Sequence, residues 1–386
     1  MLFGQNTFQA TLTVCVTLVI AFVVTGFASS SYHQEQRSLG QQHYALGQSL
    51  QARGELESAL EEYRKALIFA PNNTDYRLSL ATALLDAGRL EEAQSHLEQL
   101  SQENPTSGRI NLLLGRLAVQ QHKLQQAVDY YQRGVYEYWP ESELPMRRQA
   151  RWELASLLNQ TGDRSGFIAE LMQLYTNLPV DATVEKLKIG YLLQSSGATS
   201  EAQRIFQDLA KLAPDNSEVH RGLGEVDFSS GQYVTARHEF QKALRLDPKN
   251  QASSQALALT NEVIDMDPAM PYITLVEQER RSRNLLSRVV KDLENCNPGA
   301  TAPVATGPAM QPPGGPPLGT AAPPDPYQQK LLDAKKLLSG NQKDNDLGLS
   351  MQKTAAQLWA DKTHICQLVT PTDHTLDTVF ARIAHE

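Results

Sequence analysis

The stretch SEVHRGLGEVDFSSGQYVTARHEFQKALRLDPKN at residues 217–250 decides the fold. Leu223 and Gly224 belong to a first helix, Gly231 permits a turn, and Ala236, Phe240 and Ala243 recur at i, i+4 and i+7 on a second. Pro248 stops that second helix, because its ring cannot continue the backbone ladder. Small side chains let the two antiparallel helices approach closely while Phe240 fills the space between them. Such a hairpin cannot bury its apolar face alone, so it needs neighbours.

The neighbours lie upstream at a period of 34 residues. Residues 40–73 carry Leu46, Gly47, Leu50, Gly54, Ala59, Tyr63, Ala66 and Pro71 in the same register, and residues 74–107 carry Leu80, Ala81, Leu84, Gly88, Ala93, Leu97, Leu100 and Pro105. Asn72, Asn73 and Thr74 are candidate caps between them. The unit at 108–141 keeps Leu114, Gly115, Ala118, Ala127 and Tyr131, but His122 replaces the turn glycine, Gly134 the second small residue, and Trp139-Pro140 ends one residue late. Ser142 to Arg147, with Pro145 inside, then separate it from a unit at 148–181, so the array is expected to bend or loosen there. That fourth unit holds Leu154, Ala155, Leu158, Gly162, Leu171 and Pro179, with Phe167 in an alanine's place; a fifth at 183–216 restores Ile189, Gly190, Leu193, Gly197, Ala202, Phe206, Leu209 and Pro214. Six units exceed the roughly three that stability needs.

The pattern resembles the tetratricopeptide repeat, L-G-x2-Y-x3-G-x4-A-x3-F-x2-A-x4-P, from which residues 217–250 depart only in having Asp227 at the tyrosine position. The resemblance implies an all-α, right-handed α-α superhelix whose first helices line a concave groove that takes peptides. Carrying the register across, the groove-facing candidates are Tyr44, Gln48, Asp75, Arg109, Arg116, Trp152, Ser156, Tyr191, Arg221 and Glu225. Some members of the family grip a terminal carboxylate with a Lys/Asn/Arg clamp. Tyr44, Gln48 and Ser79 stand where Lys and Asn would be wanted, which argues against that mode.

Beyond the array, residues 251–296 read as capping helices, through Leu257, Leu259, Val263 and Ile264 and then Leu275, Leu285, Leu286, Val289, Val290 and Leu293, with a polar outer face. Residues 297–326 contain ten of the twenty prolines and form a linker. Residues 327–386 read as a small helical module of three helices, through Leu331 to Leu338, Leu347 to Trp359 and Leu376 to Ile383. Three short helices make a marginal core, so the module is expected to pack on the array or on a partner.

At the other end, residues 1–30 hold an uncharged apolar run, which with Ala10 and Thr11 extends over 10–28 and is long enough to cross a bilayer. A retained transmembrane anchor is favoured over a cleaved signal peptide ending near Gly26-Phe27-Ala28, because the run is long and no Lys or Arg precedes it. Residues 31–39 read as a polar link. The plan resembles a bacterial membrane-anchored repeat protein, which implies a single-pass inner-membrane location with the array in the periplasm and a role in assembling an envelope complex. An exported soluble protein, a cytoplasm-facing adaptor and an enzyme accessory subunit are the alternatives.

Composition narrows the chemistry. With 35 basic against 43 acidic residues and a net charge of −8, the chain shows no basic face, and no nucleic-acid partner is expected. Cys15, Cys296 and Cys366 lack zinc-site spacing; Cys296 and Cys366 form a possible disulfide if the body is exported. His364, Cys366, Asp361, Asp373 and His374 match no arrangement with a mechanical rationale for catalysis. The expectation is a non-enzymatic scaffold for protein or peptide partners, with no cofactor, metal or small-molecule substrate.

Overall fold

Six tight turns set the architecture, and all six bend at one residue of positive φ. In the computed structural model Gly54, Gly88, Gly162, Gly197 and Gly231 have φ between 71° and 81°, and His122 adopts 58° in the sixth. A side chain at that conformation costs about 1–2 kcal/mol, which is why five of the six are glycine. The structure describes residues 34–295, 326–340, 346–365 and most of 376–384, with Leu18 and Phe22.

The turns join helical pairs. Helix α1 spans 34–52 and α2 Leu56–Phe69; α3 (Thr74–Asp86) pairs with α4 (Leu90–Glu103), and α5 (Gly108–Gln120) with α6 (Leu124–Tyr136). A 3-10 turn at Glu141–Glu143 leads into α7 (Leu144–Thr161), which pairs with α8 (Arg164–Asn177). After these come α9 (Thr183–Ser195) with α10 (Thr199–Leu212), α11 (Ser217–Ser229) with α12 (Tyr233–Leu246), α13 (Gln251–Met266), α14 (Leu275–Asn295), α15 (Pro326–Ser339) and α16 (Leu347–Ile365). Leu376, Val379 and Phe380 lie in a last helical segment. No strand occurs among the described residues, which divide into two compact units between Leu178 and Pro179.

Packing within a pair follows the small-residue logic. A Cβ on Gly224 would lie 2.6 Å from the Phe240 ring, one on Gly190 2.9 Å from Phe206 and one on Gly47 2.8 Å from Tyr63. Each ring therefore rests directly on the backbone of the facing helix. Phe206, Phe240 and Tyr63 are at most 1% exposed, and burying one such ring stabilises the hairpin by about 1.5–3 kcal/mol. Asn73, Ser107, Asn216 and Asn250 cap the first helices by accepting backbone N–H groups.

A second regularity stitches consecutive pairs. The side chains of Arg77, Asn111, Lys186 and His220 each donate to the carbonyl six residues earlier, on Pro71, Pro105, Val180 and Pro214, at 2.6–3.3 Å. All four are buried, and each satisfies a loop carbonyl left over where the preceding helix stops.

Several expectations need correction. The link expected at 31–39 is helical from residue 34 and belongs to α1, since Gln34 to Leu39 contains no breaker. The interval from Ser142 to Arg147, read as a spacer between repeats, is taken up by the 3-10 turn and the start of α7: Pro145 sits in the first turn of α7, where its missing N–H costs nothing, and the helix grows to 18 residues. The face of α14 is not a polar end. Leu285, Leu286, Val289, Val290 and Leu293 share one core with Val263 and Ile264 of α13, Ala334 of α15, Met351, Ala355, Leu358 and Trp359 of α16, and Leu376, Val379 and Phe380. Leu275, expected in that stripe, is 83% exposed. No described helix is long and apolar enough to cross a membrane. The anchor expected at 10–28 lies outside the described residues apart from Leu18 and Phe22, as do Cys15, Cys296, Cys366 and the expected linker up to Asp325.

Candidate functional site

The first helices present the groove-facing candidates, and most are held by partners one repeat away. In the first unit Tyr44 on α1 bonds Ser79 on α3 at 3.1 Å and stacks on Tyr76 with centroids 4.5 Å apart. Arg109 on α5 reaches Asp75 on α3 at 3.6 Å and Glu143 at 3.2 Å. Arg116 on α5 grips Glu153 on α7 through both ends of its fork, at 3.0 and 2.7 Å, and Tyr131 donates to the same carboxylate at 2.9 Å. In the second unit Arg221 lies 4.5 Å above the Tyr191 ring and pairs with Glu218 at 2.6 Å and with Glu225, while Tyr191 donates to the Glu218 carbonyl at 2.8 Å. Gln48 and Ser156 are exposed and Trp152 is half-buried.

These pairs fix side chains that would otherwise be mobile, because planar forks and rings lose little freedom per contact. Burial and the Glu153 charge push the Tyr131 phenol up, and burial does the same to Tyr191. Tyr63 is pushed to about 12, chiefly by burial. The hydrogen bond from Arg221 lowers the Glu218 carboxyl. These hydroxyls stay neutral donors, suited to recognition and poor as bases. Asp227 is the exception, pushed to about 6 by burial and then by the charge of Glu239, but it is 4% exposed between hairpins.

A second feature lies at the irregular junction of the third and fourth repeats. Trp139 inserts against Gly108, where a Cβ would sit 2.1 Å from its Nε1, and donates to the Gly134 carbonyl at 2.6 Å. The chain around it runs extended beside 106–108, with Tyr138 N–H to Thr106 at 3.3 Å and Gly108 N–H to Tyr138 at 3.1 Å. Gly108 in the first turn of α5 and Gly134 in the last turn of α6 thus seat the indole. Next to this anchor opens a cleft of about 460 Å³ walled by Tyr136, Leu144, Arg147, Arg148, Arg151 and Leu174. Arg151 is paired with Glu170 at 2.7 Å, both 8% exposed, and Tyr136 donates to Glu170 at 3.0 Å.

The sequence register placed the candidates on the first helices, where they lie, but did not give their pairing, which needs the repeat-to-repeat stagger. It pointed at the junction through Trp139, Pro140 and Pro145 without the arginine cleft. A usable signal was there: Arg147, Arg148 and Arg151 cluster where the 34-residue register slips. Among the described residues no group of three or more His, Cys, Asp or Glu is placed to hold a metal ion. Of the tail cluster, Asp361 pairs with Lys330 at 3.0 Å, and Cys366, Asp373 and His374 lie outside the described residues.

Residues 50–117, 84–144 and 193–260 match the family model described as tetratricopeptide repeat, so the helical pairs within those residues are similar to repeats of that type. Tetratricopeptide repeat protein 21B of Xenopus laevis is 23% identical over 266 residues, covering 66% of this chain and 20% of the relative. DnaJ homolog subfamily C member 3 of Homo sapiens is 24% identical over 222 residues, covering 54% and 43%. The TPR repeat-containing protein PA4667 of Pseudomonas aeruginosa is 24% identical over 220 residues, covering 55% and 35%. The chain therefore spans less than half the length of these relatives. Among solved structures, YrrB, titled a TPR protein with an unusual peptide-binding site, is 15% identical over 50% of this chain and 96% of its own, with a TM-score of 0.38. Pseudomonas aeruginosa pilF is 16% identical over 58% and 99%, with a TM-score of 0.39.

Proposed function

We propose that this tetratricopeptide repeat chain is a membrane-tethered scaffold that docks protein or peptide partners on the face formed by its first helices, in the assembly of an envelope complex. The observation that carries the docking face is the set of half-buried arginines and aromatic rings on α1, α3 and α5, and again on α9 and α11, locked by partners one repeat away, Glu153 of α7 among them. Preorganised Arg and Tyr side chains are the residue types that carry binding energy at interfaces. The tether rests on the apolar run at 10–28 and the periplasmic placement on the analogy of plan.

A photo-crosslinking amino acid at exposed Gln48 or Ser156 on the first helices, and at exposed Glu61 or Gln241 on the second, tests the face. Cross-links to one discrete partner from Gln48 and Ser156 alone are expected. Equal yields from Glu61 and Gln241 would refute the assignment. Resistance of the protein to alkaline extraction from membranes, lost when residues 10–28 are deleted, tests the tether; a reporter fused after residue 386 reads the side.

A further inference from the structure

The cleft between α6, α7 and α8 has charges that the array does not use. Arg151 is neutralised by Glu170, whose other oxygen accepts from Tyr136. Arg147 donates through Nε to the Val135 carbonyl at 2.7 Å, and its terminal amino groups have no partner among the described residues. Half-buried Arg148 has no hydrogen-bond or ion-pair partner among them at all. Of the acids on the preceding turn, Glu143 is taken by Arg109 and Glu141 is exposed. Two cations therefore face a concave space whose nearest buried carboxylate is already committed. In a chain of net charge −8 such a concentration is unusual, and a guanidinium is the donor best matched to a planar carboxylate.

The remaining walls combine the amides of Gln173 and Asn177 with an apolar part made by Tyr136, Leu144, Pro145 and Leu174. Within that apolar part Tyr136 is 63% exposed and Leu144 46% exposed, while Leu174 is buried. A volume of about 460 Å³ suits a few side chains rather than a folded surface. The wall is firm as well, since Trp139 pins the incoming chain and Pro145 fixes the first turn of α7.

We propose that this cleft is a second docking site, separate from the first-helix face, for a short linear segment of a partner bearing Asp or Glu side chains next to a Leu or Phe. It rests on the scaffold reading given above. The carboxylates pair with Arg147 and Arg148, and the apolar residue packs between Tyr136 and Leu144. Because Arg148 holds up nothing in the fold, it can be changed without disturbing Arg151 and Glu170.

The test titrates the full chain in detergent into a fluorescein-labelled octapeptide pool, randomised over Asp, Glu, Leu and Phe, with blocked termini so that no terminal carboxylate contributes. A parallel pool carries Asn and Gln in place of Asp and Glu. Saturable anisotropy with the acidic pool is expected, at least tenfold weaker for Arg148→Glu, weakened on raising salt from about 50 to about 500 mM, and absent with the amide pool. Thermal melting of Arg148→Glu should match the parent. Unchanged binding by Arg148→Glu, equal binding of the amide pool, or no saturation overturns the proposal. Cross-linking from Gln48 and Ser156 does not pass through the cleft, so either reading can fail while the other stands.

Discussion

Replacing Arg151 by Leu would leave the Glu170 carboxylate buried beside a single donor, the Tyr136 hydroxyl at 3.0 Å. The two partners are 8% exposed and 2.7 Å apart, so each charge relies on the other for most of its solvation. Removing one member of a buried pair costs about 3–5 kcal/mol, and the surviving Tyr136 bond places this case near the lower figure. Loss of the guanidinium 5.5 Å from the Tyr136 ring removes a further cation–π contact, worth about 0.5–1 kcal/mol. Glu170→Leu should cost as much, because it strands the cation instead. The double variant Arg151→Leu/Glu170→Leu should return to within about 1 kcal/mol of the parent, as a packed apolar pair needs no desolvation. Repeat arrays need not unfold in one step, so urea unfolding should be paired with hydrogen exchange at the α7 and α8 amides. A single variant that loses under about 1 kcal/mol, or a double variant that loses the sum of the two, would refute the claim that Coulombic pairing against burial governs this joint.

His122→Gly should stabilise the third repeat by about 0.5–1 kcal/mol, since His122 is exposed and only its φ of 58° is at stake; an unchanged urea midpoint would count against the strain. Gly108→Ala should destabilise by about 1–3 kcal/mol and alter tryptophan emission, because the new methyl overlaps the Trp139 ring; an unaltered spectrum would contradict this packing. Asp227 titrates near 6 in the fold, above its ordinary value, so the stability tied to its neutral form is complete below about pH 4 and lost as pH rises through 6. Asp227→Asn should keep what the parent loses, roughly 2 kcal/mol between pH 4 and 7, and parallel pH profiles for the two proteins would refute the assignment.

Local rules made the repeats legible. A glycine that must turn, an alanine that must let a ring approach and a proline that ends a helix all act within one hairpin, so their spacing alone determined the pairs. His122 illustrates the limit of such a rule: the residue breaks the glycine pattern, yet the turn keeps its left-handed geometry. Arg77, Asn111, Lys186 and His220 were harder to notice, because one register position changes residue type while keeping a single job, donation to a loop carbonyl. The ion pairs of Arg109 and Arg116 were invisible for a different reason, since they depend on how one hairpin is staggered against the next. The burial of α14 beneath α16 was the least legible of all, because it depends on residues across a proline-rich interval whose composition carries no register.

That shared core has a consequence for biosynthesis. Phe380 follows Asn295 by 85 residues, so α14 leaves the ribosome well before its covering helices exist. At about 5–20 residues per second, Leu285, Leu286, Val289 and Val290 lack the part of their cover that comes from downstream helices for roughly 5–20 s. During that interval the nascent chain displays a sticky face, a natural point for chaperone engagement and for misassembly between neighbouring polysomes. A premature stop in the proline-rich interval would make the exposure permanent, and such a fragment should partition into aggregates although every repeat in it is intact.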